Sequence, residues 1–153
     1  MTHPFQVRDG HASDRPMMRQ VLAMAALASY PSLRSLGRLT LRDRLDTLFA
    51  SYDLPGRRWW IAERDHEALG GLWAIAGHHP ILETPEALIV AVGVVEAARG
   101  QGVARALMTH ARDVLKAEGF AQCRLFVHPD NTPARALYAS LGFEATTLEL
   151  TWR

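Results

Sequence analysis

The apolar residues of this chain fall into two spacings, and each change from one to the other marks an element. Residues 4–10 (PFQVRDG) read as a short first strand. The run MMRQVLAMAALAS continues as a helix to about Ser29, with Asp14 placed to cap it and Pro16 near its start. Tyr30-Pro31 ends it, because the residue before proline is pushed out of helical geometry. Leu41, Leu45 and Leu48 share one face of a second helix over LTLRDRLDTLF. DLPG is a turn, after which RRWWIAERD and EALGGLWAIAG read as strands joined in a hairpin at RDHE. HHPILETP is a loop. EALIVAVGVV is a near-continuous apolar strand, the pattern of a strand covered on both faces.

A helix follows from about Val103 to Glu118, with Val103, Leu107, Ala111 and Val114 as its apolar stripe and Gly119 as its stop. QCRLFVH is the next strand. The segment PDNTPARALYASLGF predicts a helix with Thr132 as N-cap and Pro133 at the first helical position. Gly142 stands just past its end, with Phe143 folding back on the last turn. TLELTW then alternates, Leu148, Leu150 and Trp152 facing one way and Thr147, Glu149 and Thr151 the other, as in a final strand. The order is strand, two helices, an antiparallel meander, then strand–helix–strand–helix–strand. That predicts a mixed α/β sheet with helices on both faces. No linker or repeat divides the chain, so 1–153 reads as one domain.

Charge changes this picture by exclusion. Seventeen basic against sixteen acidic residues leave a net +1, which provides no global field for nucleic acid or a membrane surface. The longest apolar stretch is about half the length that spans a bilayer, and the first ten residues lack the layout of a signal peptide. A single cysteine, Cys123, gives no internal disulfide framework, and the expectation is a cytoplasmic protein. The seven histidines, His78-His79 among them, show no metal-ligand spacing, so no metal is expected. His128 reads as a strand-end polar residue and Cys123 as a small core hydrophobe.

The chemistry begins at VVEAARGQGVARALM, where an apolar strand becomes a helix through Arg99-Gly100-Gln101-Gly102. Gly100 and Gly102 can take backbone angles closed to other residues and carry no Cβ to hold a ligand away. The unpaired N–H groups from Gln101 through Gly102, Val103 and Ala104 to Arg105 then face outward at the positive end of a helix dipole. Such a place suits a phosphate or pyrophosphate, with Arg99 and Arg105 adding charge. A turn that needs glycine for geometry alone fits the same letters. A P-loop is excluded because no Gly-Lys-Ser/Thr occurs in the chain. The dinucleotide fingerprint fails because Arg105 stands where its third glycine belongs.

At these residues the sequence resembles the GNAT superfamily of N-acetyltransferases. The signature [QR]-x-x-G-x-[GA] is met by Arg99, Gly102 and Ala104, and a second pattern by Asn131, Ala134, Leu137, Tyr138, Gly142 and Phe143. The resemblance is strong over roughly Leu88 to Phe143. It implies a central, mostly antiparallel twisted sheet, splayed between its fourth and fifth strands. It also implies acetyl-CoA as co-substrate, with the loop amides on the pyrophosphate and the pantetheine arm hydrogen-bonded to backbone of Val92, Gly93 and Val94. A backbone N–H near Val94 would polarise the thioester carbonyl, Asn131 would hold the arm, and Tyr138 would protonate the departing thiolate. A phenol with an ordinary pKa of about 10 is protonated at neutral pH and suits that role.

An amine acceptor of pKa about 10.4 must lose a proton before it attacks, at a cost of roughly 4–5 kcal/mol at pH 7. Some family members carry a glutamate in the strand after the loop, and CRLFVH has none. Others carry one at the start of the strand before it, which points to Glu86, thirteen residues ahead of Arg99, as base, directly or through water. Arg34, Arg38, Arg42 and Arg44 cluster where the family forms part of its acceptor pocket; they fit an acidic acceptor or a solvated helix face. Trp59, Trp60 and Trp73 are expected in the core, with one of them open to the acceptor cleft. Family members finish with two strands after the tyrosine helix, whereas about ten residues follow Gly142 here. The exposed edge this leaves predicts a homodimer. The expected function is acetyl transfer from acetyl-CoA to a small-molecule or peptide primary amine. The alternative is a non-catalytic acyl-CoA-binding module of the same fold.

Overall fold

The computed structural model describes residues 4–153. Its strands are β1 (Gln6–Asp9), β2 (Arg57–Arg64), β3 (Glu67–His78), β4 (Pro85–Val94) and β5 (Gln122–Leu125). Its α-helices are α1 (Arg15–Ser29), α2 (Arg38–Tyr52), α3 (Val103–Ala117) and α4 (Thr132–Ser140). The strands form one open sheet in the order β1-β2-β3-β4-β5; the first three neighbour pairs are antiparallel and β4–β5 is parallel.

Period-two alternation sends adjacent residues to opposite faces, and the two tryptophans of β2 show the result. Trp59 and Ile61 join Trp73, Ala91, Met18, Val21, Leu22 and Phe49 in a core under α1 and α2. Trp60 and Ala62 join Leu72, Ala87 and Ile89 in a core under α3, whose Val103, Leu107, Met108, Ala111 and Leu115 are all buried. Helices therefore cover both faces, as the order of elements predicts. Trp59, Trp60 and Trp73 are 4% exposed or less. None of these three opens to a cleft, and Phe49 and Trp59 both pack edge-on to Trp73, with centroids 4.9 Å and 5.3 Å away.

Two irregularities in β4 place the site. Trp73 pairs with Ala91 and Ala74 with Ile89, so Val90 is an extra residue, a β-bulge that bends the strand. Pairing with β5 runs only from Glu86↔Gln122 to Ile89↔Leu125 and stops at that bulge. From Val90 to Val94 the β5-facing edge of β4 is open. This is the splay the resemblance implies. β5 ends at Leu125, three residues short of the expected strand, because it has no partner once β4 bends away.

Three local expectations are corrected. Asp14 does not cap α1 with its side chain; its carboxylate takes Arg8 Nη1 at 2.8 Å, Arg8 Nη2 at 3.0 Å and the His11 N–H at 2.7 Å. The Arg8 guanidinium holds this buried carboxyl below the usual carboxylate range. The N-cap of α4 is Asn131, with Thr132 already the first helical residue. TLELTW is not a strand: residues 144–153 are all exposed and carry no regular structure.

Candidate active site

Gly100 and Gly102 have φ of +74° and +80°, the left-handed region where L side chains are strained. A Cβ built at either would meet nothing within 4 Å, so backbone angle and not crowding demands glycine, and the space above the loop is open. Gly102 is the N-cap of α3, no side chain caps that helix, and its first intrahelical bond is Ala106 N–H to the Gly102 carbonyl at 3.0 Å. The amides of Val103, Ala104 and Arg105 therefore begin a helix with no local acceptor, which is the arrangement that takes an anion.

The loop is held from three sides. The Gln101 side chain accepts from Arg64 Nη2 at 2.8 Å and donates to the Ala97 carbonyl at 3.3 Å. Arg105 reaches across to α4 and donates to Ser140 Oγ at 2.9 Å. Arg99 turns back to the end of β4, where its Nε donates to the Val94 carbonyl at 3.1 Å and its Nη2 lies 3.8 Å from Met24 Sδ. Sequence spacing did not point to Arg64, Ser140 or Met24, since each meets the loop only through tertiary contact.

Strand alternation fixes the direction of the β4 amides. Val95 N–H donates to the Leu69 carbonyl at 2.8 Å, on the β3 side. The N–H and C=O of Val94, and by the same period those of Val92, point the opposite way, into the gap where β5 has parted. Gly93 faces α1, where a Cβ would come within 3.0 Å of Met24 Cε. Two unpaired backbone donors thus line the gap that ends at the glycine loop.

Tyr138 and Phe143 pack on the same core cluster as Val92, Val94 and Leu125, with the two rings 5.9 Å apart. Burial pushes the Tyr138 phenol above its ordinary value, so it stays a proton donor through neutral pH. Asn131 Oδ1 accepts from Ala134 N–H at 3.3 Å, which starts α4 and leaves its NH2 group to donate elsewhere. His128 Nδ1 accepts from Asp130 N–H at 3.2 Å and shapes the same loop.

The structure does not bring Glu86 to this group. Glu86 is 8% exposed, lies at the paired end of β4, and contacts Arg124 Nε at 3.2 Å. Val92 and Val94 are six and eight residues along the strand, roughly 20–26 Å at 3.3 Å per residue, which excludes direct contact with a group held at their amides. His79 is a loop brace whose Nδ1 accepts from Ile81 and Leu82 N–H. Of the arginine cluster, Arg38 and Arg42 line a cleft of about 530 Å³ between α1 and α2, with Arg19, Asp46, Leu45 and Phe49. Arg34 and Arg44 are exposed and do not line it.

An open sheet whose fourth and fifth strands part beside an uncapped, glycine-led helix defines an α/β protein suited to an extended molecule ending in phosphate. The model of the acetyltransferase (GNAT) family matches residues 23–143, and the chain belongs to that family and is an acyltransferase. The uncharacterized N-acetyltransferase YjgM of Escherichia coli (strain K12) is 29% identical over 133 residues, covering 86% of this chain and 77% of that protein. A mycothiol acetyltransferase of Kocuria rhizophila is 35% identical over 132 residues; the match takes in 84% of this chain but 42% of that relative, so the chain spans less than half its length. A solved structure from Pyrococcus furiosus, classed as an acetyl transferase, superposes with a TM-score of 0.81 over 98% of this chain and 99% of that one, at 24% identity. No helix among the described residues is long and apolar enough to cross a membrane.

Proposed function

We propose that this chain transfers the acetyl group of acetyl-CoA to a primary amine by direct attack in a ternary complex. The observation that carries the reading is the convergence of an open left-handed glycine turn, the gap-facing amides of Val92 and Val94, and the Tyr138 phenol around one core cluster. Acetyl-CoA supplies a thioester-activated acetyl group. The amides of Gln101 to Arg105 are placed to hold its pyrophosphate, and the Val92–Val94 edge to align its arm like an added strand. A gap-facing N–H at Val94 or Val92 stabilises charge developing on the carbonyl oxygen. Asn131 NH2 steadies the arm, and Tyr138 delivers a proton to the sulfur as it leaves.

Removal of the amine proton is assigned to Glu86 acting through intervening water, since its distance along β4 rules out contact. The relatives named mycothiol acetyltransferase favour a small-molecule acceptor, and the cleft bearing Arg38 and Arg42 favours one that also carries an anionic group. The test is release of CoA, followed as free thiol, with acetyl-CoA and a panel of small amines. Turnover that depends on both partners supports the reading. Tight acetyl-CoA binding with no amine-dependent thiol would overturn it in favour of a binding module. Glu86→Gln is expected to lower the rate near pH 7 and to restore it as pH approaches the amine's own pKa; an unchanged pH–rate profile removes Glu86 from the mechanism.

A further inference from the structure

We propose that Met24 of α1 closes the acyl end of the donor site and selects acetyl over butyryl and longer acyl groups. The inference rests on the acetyl-CoA reading and adds to it a residue that sets which donor is accepted.

The gap between β4 and β5 has unequal walls. Val92 and Val94 pack with Leu125 and Tyr138 on the core cluster under α3, so that wall is lined with side chains. On the α1-facing wall the open end of β4 falls to Gly93, which has no side chain and is not fully buried. A group held at the Val92 and Val94 amides therefore has valines and a phenol on one side and a hollow on the other.

Met24 fills that hollow. Met17, Val21 and Met24 recur at helical spacing and turn one stripe of α1 toward the sheet. Met24 is the last large side chain of α1 packed on the core cluster beneath it, and it is only half-buried. A Cβ at Gly93 would come within 3.0 Å of Met24 Cε and 3.5 Å of its Sδ, so the thioether lies directly over the glycine. The sulfur is 3.8 Å from Arg99 Nη2, and the same guanidinium donates through Nε to the gap-facing Val94 carbonyl. The thioether thus sits at the gap itself, beside the amides assigned to the thioester carbonyl.

A carbonyl oxygen directed at either amide leaves the alkyl end of the acyl group only the space over Gly93. An acetyl methyl fits beside a filled hollow. The two further methylenes of a butyryl group need the volume that Met24 Cγ, Sδ and Cε occupy. Seated between Gly93 and the Arg99 guanidinium, the thioether has little room to swing aside, and forcing extra methylenes into a filled apolar site is unfavourable.

Calorimetric titration of acetyl-CoA and butyryl-CoA tests the proposal without an amine acceptor. The wild type is expected to bind butyryl-CoA about tenfold more weakly than acetyl-CoA. Met24→Ala is expected to abolish or reverse that preference, and Met24→Leu, of similar volume, to keep it. Met17→Ala makes the same deletion on the same core cluster, two turns or about 10 Å earlier in α1, and is expected to keep the wild-type ratio. Taking the ratio of the two affinities cancels any general loss of fold or of CoA binding. Equal affinities in the wild type overturn the proposal. So does a Met24→Ala ratio that stays at the wild-type value, or a Met17→Ala ratio that moves with it. In each of those outcomes acetyl-CoA still binds and the acetyl-transfer reading stands. A wild type that binds no acetyl-CoA overturns that reading and the proposal together.

Discussion

Gly102→Ala and Gly119→Ala form a matched pair that separates what the glycine loop costs from what it binds. Gly102 has φ +80° and Gly119 φ +90°, and a Cβ at either meets nothing within 4 Å. Each alanine therefore brings the same left-handed strain, about 1–2 kcal/mol, and the same loss of unfolded-state entropy. For a domain of this size that lowers the melting temperature by about 3–6 °C in both variants. Acetyl-CoA at one hundred times its dissociation constant adds about 2.7 kcal/mol to the wild type, a rise of about 8 °C. Gly119 follows the far end of α3, so its variant keeps that rise from a lower baseline. The alanine methyl at Gly102 stands at the uncapped N-terminus of α3, where the pyrophosphate is proposed to sit. If affinity falls about a hundredfold, the same ligand concentration adds only about 0.4 kcal/mol, near 1 °C. The assay is a thermal melt of the three proteins with and without acetyl-CoA. A Gly102→Ala protein with the expected strain but the full ligand shift would refute the loop as the anion site.

Tyr138→Phe keeps the ring that packs on Phe143 and is expected to lower kcat by about 10²–10⁴ while leaving acetyl-CoA affinity unchanged, measured by steady-state turnover and calorimetry. Arg64→Met frees Gln101 and is expected to weaken acetyl-CoA binding roughly fivefold, for loss of about 1 kcal/mol of hydrogen bonding, with kcat retained. Burial, and after it the negative charge of Glu86, pushes the Cys123 thiol up to about 11 from 9.0. Between those values the unfolded chain has lost the proton the folded chain keeps, so stability falls as pH rises from 9 to 11. Cys123→Ala is expected to flatten that slope in urea unfolding across the same range.

The elements that bury a periodic face were legible in the letters, because their spacing is the cause of their packing. Of the α3 stripe Val103, Leu107, Ala111 and Val114, the first three are buried and Val114 is half-buried, with Leu115 buried next to it. The glycine turn was legible for a similar reason, since positive φ at Gly100 and Gly102 is a demand that few residue types meet. Where sequence reading went astray, the missing information was three-dimensional. Thr132 and Asn131 are both competent caps, and the choice fell to Asn131 because His128 and Asp130 had already bent the loop so that its Oδ1 reaches Ala134. For Glu86 the letters left direct and water-mediated action both open, and its offset along an extended strand is a length that leaves the water-mediated one.

The tail shows the same limit from the other direction. Alternation at Leu148, Leu150 and Trp152 states that a face is to be buried and is silent on which molecule buries it. Arg64 left no signal at all, because its partner Gln101 is thirty-seven positions away and meets it only when the β2–β3 hairpin folds beside the loop. Local pattern therefore specified the glycine loop, while the contacts that hold that loop still came from the fold. If that division holds, acetyl-CoA binding should be sensitive both to half-buried Arg64 and to exposed Ser140. Changes at Arg34 and Arg44, charged and exposed but joined to nothing in the site, should leave acetyl-CoA binding where it was.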